Sequence, residues 1–245
     1  VRIAFGEGCA AGLPDLVHNP VVFVQGSSGA ASDLVLHMLG DVAQALPIAN
    51  RMTDQGLRSQ AAHMAVIADM AQREDFAALL ERDMTDQGVG PLVDGLLTAW
   101  AHLGEGDMDA ALAGFDTVAS EQGMKGFALY HKAMALALQG EYAAAEAIFA
   151  GADSGTMVRT RRGALARAEV LSQLGRNAEA VTSLQDAFGA GTDPELERVI
   201  TALEAGETLP FTHVTSARDG IAEGFYSIAG ALRSEASADY TLLYG

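Results

Sequence analysis

The side chains that could do chemistry are scattered along this sequence and show no catalytic spacing. No two of the six histidines share metal-ligand spacing on one helix, and the single cysteine, Cys9, excludes cysteine-rich zinc sites. His102 and His131 lie within apolar helical patterns, so we interpret them as core or boundary histidines rather than ligands. We therefore predict no catalytic residue, no metal and no cofactor.

Other functional motifs are equally weak. The Gly-Ser-Ser-Gly stretch at 26–29 lacks the lysine that follows a phosphate-binding loop, and we interpret it as a flexible loop. Asp107 and Asp109 are better explained by helix capping than by paired acid catalysis. One basic cluster stands out, and it could either clamp a partner's carboxylate or pair with nearby acids on a solvated face. It consists of Arg159, Arg161, Arg162 and Arg167.

Composition restricts the classes of partner. The 245 residues carry a net charge of −17, so nucleic acids and anionic membrane surfaces, which need a basic face, are poor candidates for partners. A protein or peptide partner that is basic or apolar fits better. The alternative interpretation is that this charge only keeps a hydrophobic chain in solution. The longest dense apolar stretch, Pro20–Val24, is far too short to span a bilayer, and we expect no membrane insertion.

The sequence repeats with a period near 33 residues. Met-Thr-Asp-Gln-Gly at 52–56 recurs at 84–88. A second glycine series lies about half a repeat away, and five positions after each of its members stands an alanine. Two interleaved glycine series predict two helices per unit, each ended by a glycine. The second series is Gly40, Arg73 in the equivalent place, Gly106, Gly140 and Gly175, followed by Ala45, Ala78, Ala111, Ala145 and Ala180.

The pattern Gly140-Glu141-Tyr142 with Ala145, Phe149 and Ala152 resembles the second half of the tetratricopeptide repeat motif. The resemblance covers roughly residues 40–190. It implies an all-α solenoid, a right-handed superhelix of about five helix hairpins, that binds proteins rather than catalysing a reaction. It extends to long bacterial members with export signals, which leaves the periplasm and the cytoplasm both open.

Three regions are predicted along the chain: a poorly patterned segment at 1–38, helical repeats at 39–205, and a loop with the start of a further helical section at 206–245. The chain begins with valine and ends inside a helical pattern, so we expect it to be a piece of a longer protein. Helices are predicted near 41–54, 59–71, 75–85, 91–104, 107–120, 125–139, 141–151, 158–174, 177–188, 193–205 and 216–234, with another starting near Ala236.

In the family that the sequence resembles, the first helix of each unit lines a concave groove. Positions counted back from each glycine form a strip of aromatic, apolar and methionine side chains that could anchor an apolar helix or peptide. The alternative interpretation is that these residues only pack between helices. The predicted groove residues are His63, Ile67, Val93, Leu96, Trp100, Phe127, Tyr130, Met134, Arg162 and Glu169.

Three functions follow from these observations. The first is a protein-interaction scaffold that uses the groove. The second is a helical domain that binds a small ligand or catalyses a reaction, with His63 and Arg162 as its polar groups. The third is a self-associating spacer of a larger assembly, a homo-oligomer that buries the strip from Trp100 to Tyr130.

Overall fold

The computed structural model describes residues 42–55, 60–84, 90–151, 159–189 and 193–232. The chain divides into two compact units, Val1–Val89 with Ala236–Leu243 and Gly90–Glu235 with Tyr244–Gly245. All regular structure in the described ranges is helical, in eleven helices. The predicted segment 1–38 and the helix expected near Ala236 lie outside these ranges, and the predicted domain boundaries stay predictions.

The described part of the first unit holds three helices. α1 (Val42–Asp54) packs against α2 (Gln60–Gln72), and α2 packs against the short α3 (Phe76–Leu80). Pro47 lies in the second turn of α1, where its missing N–H costs less than it would further along. The prediction of a helix to residue 85 was too long, because α3 ends at Leu80.

The second unit holds a row of antiparallel pairs. Each helix from α4 to α9 packs against the next one along the chain, and the first helices of successive pairs also contact each other. The all-α repeat architecture predicted from the sequence is therefore confirmed. The helices are α4 (Pro91–Gly104), α5 (Met108–Ser120), α6 (Lys125–Leu138), α7 (Tyr142–Phe149), α8 (Arg161–Gln173), α9 (Asn177–Phe188), α10 (Pro194–Glu204) and α11 (Ala217–Leu232).

Glycine ends the first helix of each pair. Gly106, Gly140, Gly175 and Gly206 have φ values of +83°, +81°, +70° and +81°, which other residues rarely adopt. The same two bonds close each turn: at the first, Gly106 N–H donates to Leu103 O (3.0 Å) and the next amide to His102 O (2.9 Å). The spacing of these glycines thus marks the ends of α4, α6, α8 and α10, whereas α5 and α7 end at Ser120 and Phe149 and have no glycine with a positive φ two residues later.

Glu74, rather than Arg73, occupies the equivalent turn of the first unit. Its φ is +55°, and the amide after it, that of Asp75, donates to Met70 O (2.9 Å). The prediction that placed Arg73 there was wrong by one residue, because the register follows the capping aspartate. Asp75 caps α3 as Asp107 caps α5.

The same shift changes which residue fills the gap between paired helices. Ala111, Ala145 and Ala180 are fully buried, as predicted, and let their helices approach closely. In the first unit this place belongs to Leu79, which is 1% exposed, and not to Ala78, which is only half-buried.

Glycine at position 74 should stabilise the protein. Glu74→Gly relieves a left-handed conformation in an exposed residue, so we expect the free energy of unfolding to rise by about 1 kcal/mol in a urea titration. Glu81→Gly is the matched control, since Glu81 is exposed with an ordinary φ of −77°. That change should give no gain, and an equal gain in both variants would argue against strain at Glu74.

Helix α10 closes the row of pairs. Its inner side buries Leu196, Ile200 and Leu203 against α8 and α9, whereas Arg198 and Thr201 on the other side are exposed. A polar outer face is what a terminal repeat needs.

Asn177 links α9 to the end of α10 through hydrogen bonds of its side chain. It is the first residue of α9, not its cap, and its side-chain amide donates to Leu203 O (3.2 Å) and Glu207 O (2.8 Å). The end of α10 and the start of the following segment are therefore held to the preceding pair.

Candidate functional site

The chain after α10 turns back onto the repeats. Residues 207–216 have no regular secondary structure, and α11 then packs against α4 and α6. We call residues 207–232 the C-terminal segment. We give the name inner face to five of the side chains that it contacts on α4, α6 and α8: Trp100, Tyr130, His131, Arg162 and Glu169. The segment predicted to start a further helical section therefore lies against the first helices of the second unit.

The part of the C-terminal segment that precedes α11 is hydrogen-bonded to α8. The Leu209 amide donates to Ser172 Oγ (2.9 Å), and Gln173 donates to the Leu209 carbonyl. Glu169 accepts the Thr212 amide and hydroxyl at 2.9 Å each and the His213 amide at 3.2 Å. Burial raises the pKa of Glu169, and these hydrogen bonds oppose the rise. Side chains of α8 thus accept or donate the hydrogen bonds of the backbone at Leu209, Thr212 and His213.

Gly220 lets α11 lie directly on the Trp100 indole. The indole is fully buried and packs edge-on against Phe115, with ring centroids 5.6 Å apart. A Cβ on Gly220 would lie 2.2 Å from Cδ2 of Trp100, closer than any side chain could approach. A Cβ on Gly224, one turn later, would lie 3.9 Å from His131 Cε1, which is ordinary contact.

His131 links Trp100 to α11 through both ring nitrogens. Trp100 Nε1 donates to His131 Nδ1 (3.1 Å), so the ring proton must reside on Nε2, which lies 3.2 Å from Ser227 Oγ. Ser227 in turn donates to the Gly224 carbonyl (3.0 Å). Complete burial lowers the pKa of His131 to about 3, so the ring is neutral at pH 7. Each polar group in this network from Trp100 to Gly224 has a hydrogen-bond partner, as a buried network requires.

Glu223 joins α11 to both α6 and α8. It is 4% exposed, accepts the Tyr130 hydroxyl (2.7 Å) and forms an ion pair with Arg162, whose Nε lies 3.0 Å from Oε2. Burial, followed by the charge of Glu223, raises the pKa of Tyr130, which stays protonated as a donor. The Arg162 guanidinium also lies 4.9 Å from the ring centroid of Tyr226. One carboxylate therefore satisfies two inner-face donors at once.

The structure brings four of the ten predicted groove residues into recorded contact with the C-terminal segment: Trp100, Tyr130, Arg162 and Glu169. The remaining members of the second unit are Val93, Leu96 and Met134, all buried, and the half-buried Phe127. His63 and Ile67 lie on α2 of the first unit and are both buried.

Sequence reasoning missed most of what meets the inner face. His131 was expected only to be a satisfied core residue, which it is, and the contribution of α11 was not foreseen. The signal present in the sequence is the spacing Gly220, Glu223, Gly224, Ser227, which places two glycines, an acid and a hydroxyl on one side of a helix.

The described residues also bear on metal binding and on membrane insertion. Within the described ranges, no three His, Cys, Asp or Glu side chains come together as a metal site would require. No described helix combines the length and apolar character needed to cross a bilayer.

Two stretches of the chain match the family model described as tetratricopeptide repeat, at residues 126–150 and 161–186. These stretches contain the pairs α6–α7 and α8–α9, and with them Tyr130, His131, Arg162 and Glu169 of the inner face. No curated protein and no solved structure matches the chain.

Proposed function

The chain is a protein with tetratricopeptide repeats, which are generally protein–protein interaction modules, and we propose that it holds an α-helix of a protein partner on the inner face of its second unit. The observation that supports this proposal is α11 itself. A helix lies on that face and meets it through named side chains on three successive first helices.

The inner face has the chemistry of a helix-binding surface. Trp100 supplies a large flat apolar contact, and aromatic and arginine side chains are the commonest anchors of protein interfaces. Arg162, Tyr130 and the His131 Nε2–H offer hydrogen-bond donors at fixed positions beside it. Donors buried without acceptors cost about 1–3 kcal/mol each, so this face favours an occupant that satisfies them.

Two other functions have less support. For a small-ligand or catalytic site, burial strongly lowers the pKa of two histidines, His131 and His213, and both ring nitrogens of His131 are already bonded to Trp100 and Ser227. For self-association through the strip from Trp100 to Tyr130, a second copy would have to displace α11 as any partner helix would, because those two side chains are 0% and 1% exposed, and the net charge of −17 opposes the approach of a second copy.

Binding of the α11 sequence in trans tests the proposal. A fluorescently labelled peptide of residues 213–232 is titrated against the full chain carrying Gly220→Val, whose own α11 no longer fits over Trp100. We expect the peptide's anisotropy to rise with this variant. It should rise much less with the unsubstituted chain, where the tethered α11 competes at an effective concentration on the order of millimolar.

Ala222→Val is the control, because it places the same β-branched side chain at an exposed position of α11. This variant should behave like the unsubstituted chain. Absence of peptide binding to a Gly220→Val chain that keeps its helical circular dichroism would refute the proposal.

A further inference from the structure

We infer that the inner face selects its helix by the pattern Gly-x-x-Glu-small-x-x-Ser, and that α11 is a built-in competitor which a partner helix of this pattern must displace. This inference rests on the proposed function and adds the chemistry of the partner to it. Each position of the pattern follows from one contact of α11.

The first position admits only glycine. At Gly220 a Cβ would come within 2.2–2.4 Å of three atoms of the Trp100 indole. The indole is enclosed and also packs on Phe115, and its Nε1 is bonded to His131, so it has no room to withdraw. A helix with any side chain here is held away from the face.

The fourth position requires a carboxylate that is long enough to reach two donors. Glu223 reaches Tyr130 Oη at 2.7 Å and Arg162 Nε at 3.0 Å. Arg162 is the cation recorded against α11, so this face favours an acidic group on its partner although the chain as a whole carries −17. The local charge, and not the net charge, decides the chemistry of the bound helix.

The fifth and eighth positions meet His131. A Cβ at Gly224 would make ordinary contact with the ring at 3.9 Å, so glycine or alanine fits there. Ser227 Oγ accepts a hydrogen bond from His131 Nε2 and donates one to the Gly224 carbonyl. A hydroxyl is the smallest group that does both.

The pattern explains why α11 would yield to a competitor. Glycines at 220 and 224 each cost an α-helix about 1 kcal/mol relative to alanine, so α11 has low intrinsic helix stability. A stretch without regular secondary structure, residues 207–216, connects it to α10. A partner helix with the same contacts and alanine in place of Gly224 would therefore be a more stable helix and should bind more tightly than the α11 sequence itself.

Substituted peptides test the pattern against the Gly220→Val chain. The Gly220→Val peptide should not bind, and the Glu223→Gln and Ser227→Ala peptides should bind about 10-fold more weakly than the parent peptide, as expected from the loss of a charged or buried hydrogen bond. The Gly224→Ala peptide should bind at least as tightly as the parent. A full chain carrying Glu223→Lys serves as a second receptor. In this chain α11 is displaced by charge repulsion between the introduced lysine and Arg162, and not by a bulky side chain at position 220.

Exchanging the charges at positions 162 and 223 gives the most specific test of the pattern. A chain with Arg162→Glu and Gly220→Val should not bind the parent peptide, but it should bind a Glu223→Arg peptide, in which the two charges are exchanged. If all peptides bind the receptors equally, the pattern is wrong and the proposed function stands. If the parent peptide binds neither folded receptor, the proposed function itself fails.

Discussion

Replacement of Gly220 by valine is expected to release α11 from the second unit while leaving the helix pairs folded. The added side chain cannot fit against Trp100, and overpacking of this kind costs about 3 kcal/mol. Because Trp100 is the single tryptophan of the chain, tryptophan fluorescence reports the environment of the indole that α11 covers. We expect emission to shift to longer wavelength and quenching by acrylamide to increase, with most of the far-UV circular dichroism retained.

Gly224→Ala provides the control on the same helix. A Cβ fits there at 3.9 Å from His131, and alanine improves helix propensity by about 1 kcal/mol, so the indole should stay shielded and docking should strengthen. If Trp100 remains equally shielded in Gly220→Val, α11 does not lie on the indole as described. If the helical signal is lost altogether, α11 is a permanent part of the core and not a displaceable helix.

Mild acid is expected to destabilise the second unit through its buried histidines. The pKa of His131 falls from an ordinary 6.5 to about 3, and burial lowers that of His213 to about 4. Below pH 6.5 the unfolded chain therefore binds more protons than the folded one, and stability drops as the pH falls toward those values. For His131 the loss between pH 7 and pH 5 is about 2 kcal/mol, and His213 acts in the same direction.

Urea titrations at pH 7 and pH 5, followed by Trp100 fluorescence, measure this effect. His131→Gln starts from a lower stability, because it breaks the link between Trp100 and Ser227, but it should lose less on acidification than the parent chain. Asp193, whose pKa is lowered to about 2 by Arg161, loses its contribution only below pH 3.8, outside this range. Equal losses in both chains would exclude His131 as the source.

The helix pairs could be predicted from the sequence because their signals are local. Gly106, Gly140 and Gly175 mark helix ends that need a positive φ, and a buried alanine follows each at a fixed distance. The prediction slipped at Arg73 because Glu74 adopts the same backbone conformation without being glycine. A search for glycine cannot detect a strained residue of another type.

The occupant of the inner face could not be predicted, because its contacts join distant parts of the chain. Tyr130 and Glu223 are 93 residues apart, and His131 and Ser227 are 96 apart. On α11 the residues that meet the three rings of the inner face are small or polar, and Ile221 is its one large apolar side chain that is almost fully buried in the described part, so the apolar pattern of this side is weak. Arg162 was considered as a clamp for a partner's carboxylate, and the carboxylate that it holds belongs to the same chain.

Hydrogen exchange of the unsubstituted chain tests most directly whether α11 is a separable occupant of the repeats. Across a series of low urea concentrations, amides of residues 217–232 should exchange through an opening whose free energy lies below that of α6 and α8, which exchange only on global unfolding. If the amides of α11 share the opening free energy of α6 and α8 at every urea concentration, α11 is an inseparable part of the folded unit and cannot give way to a partner.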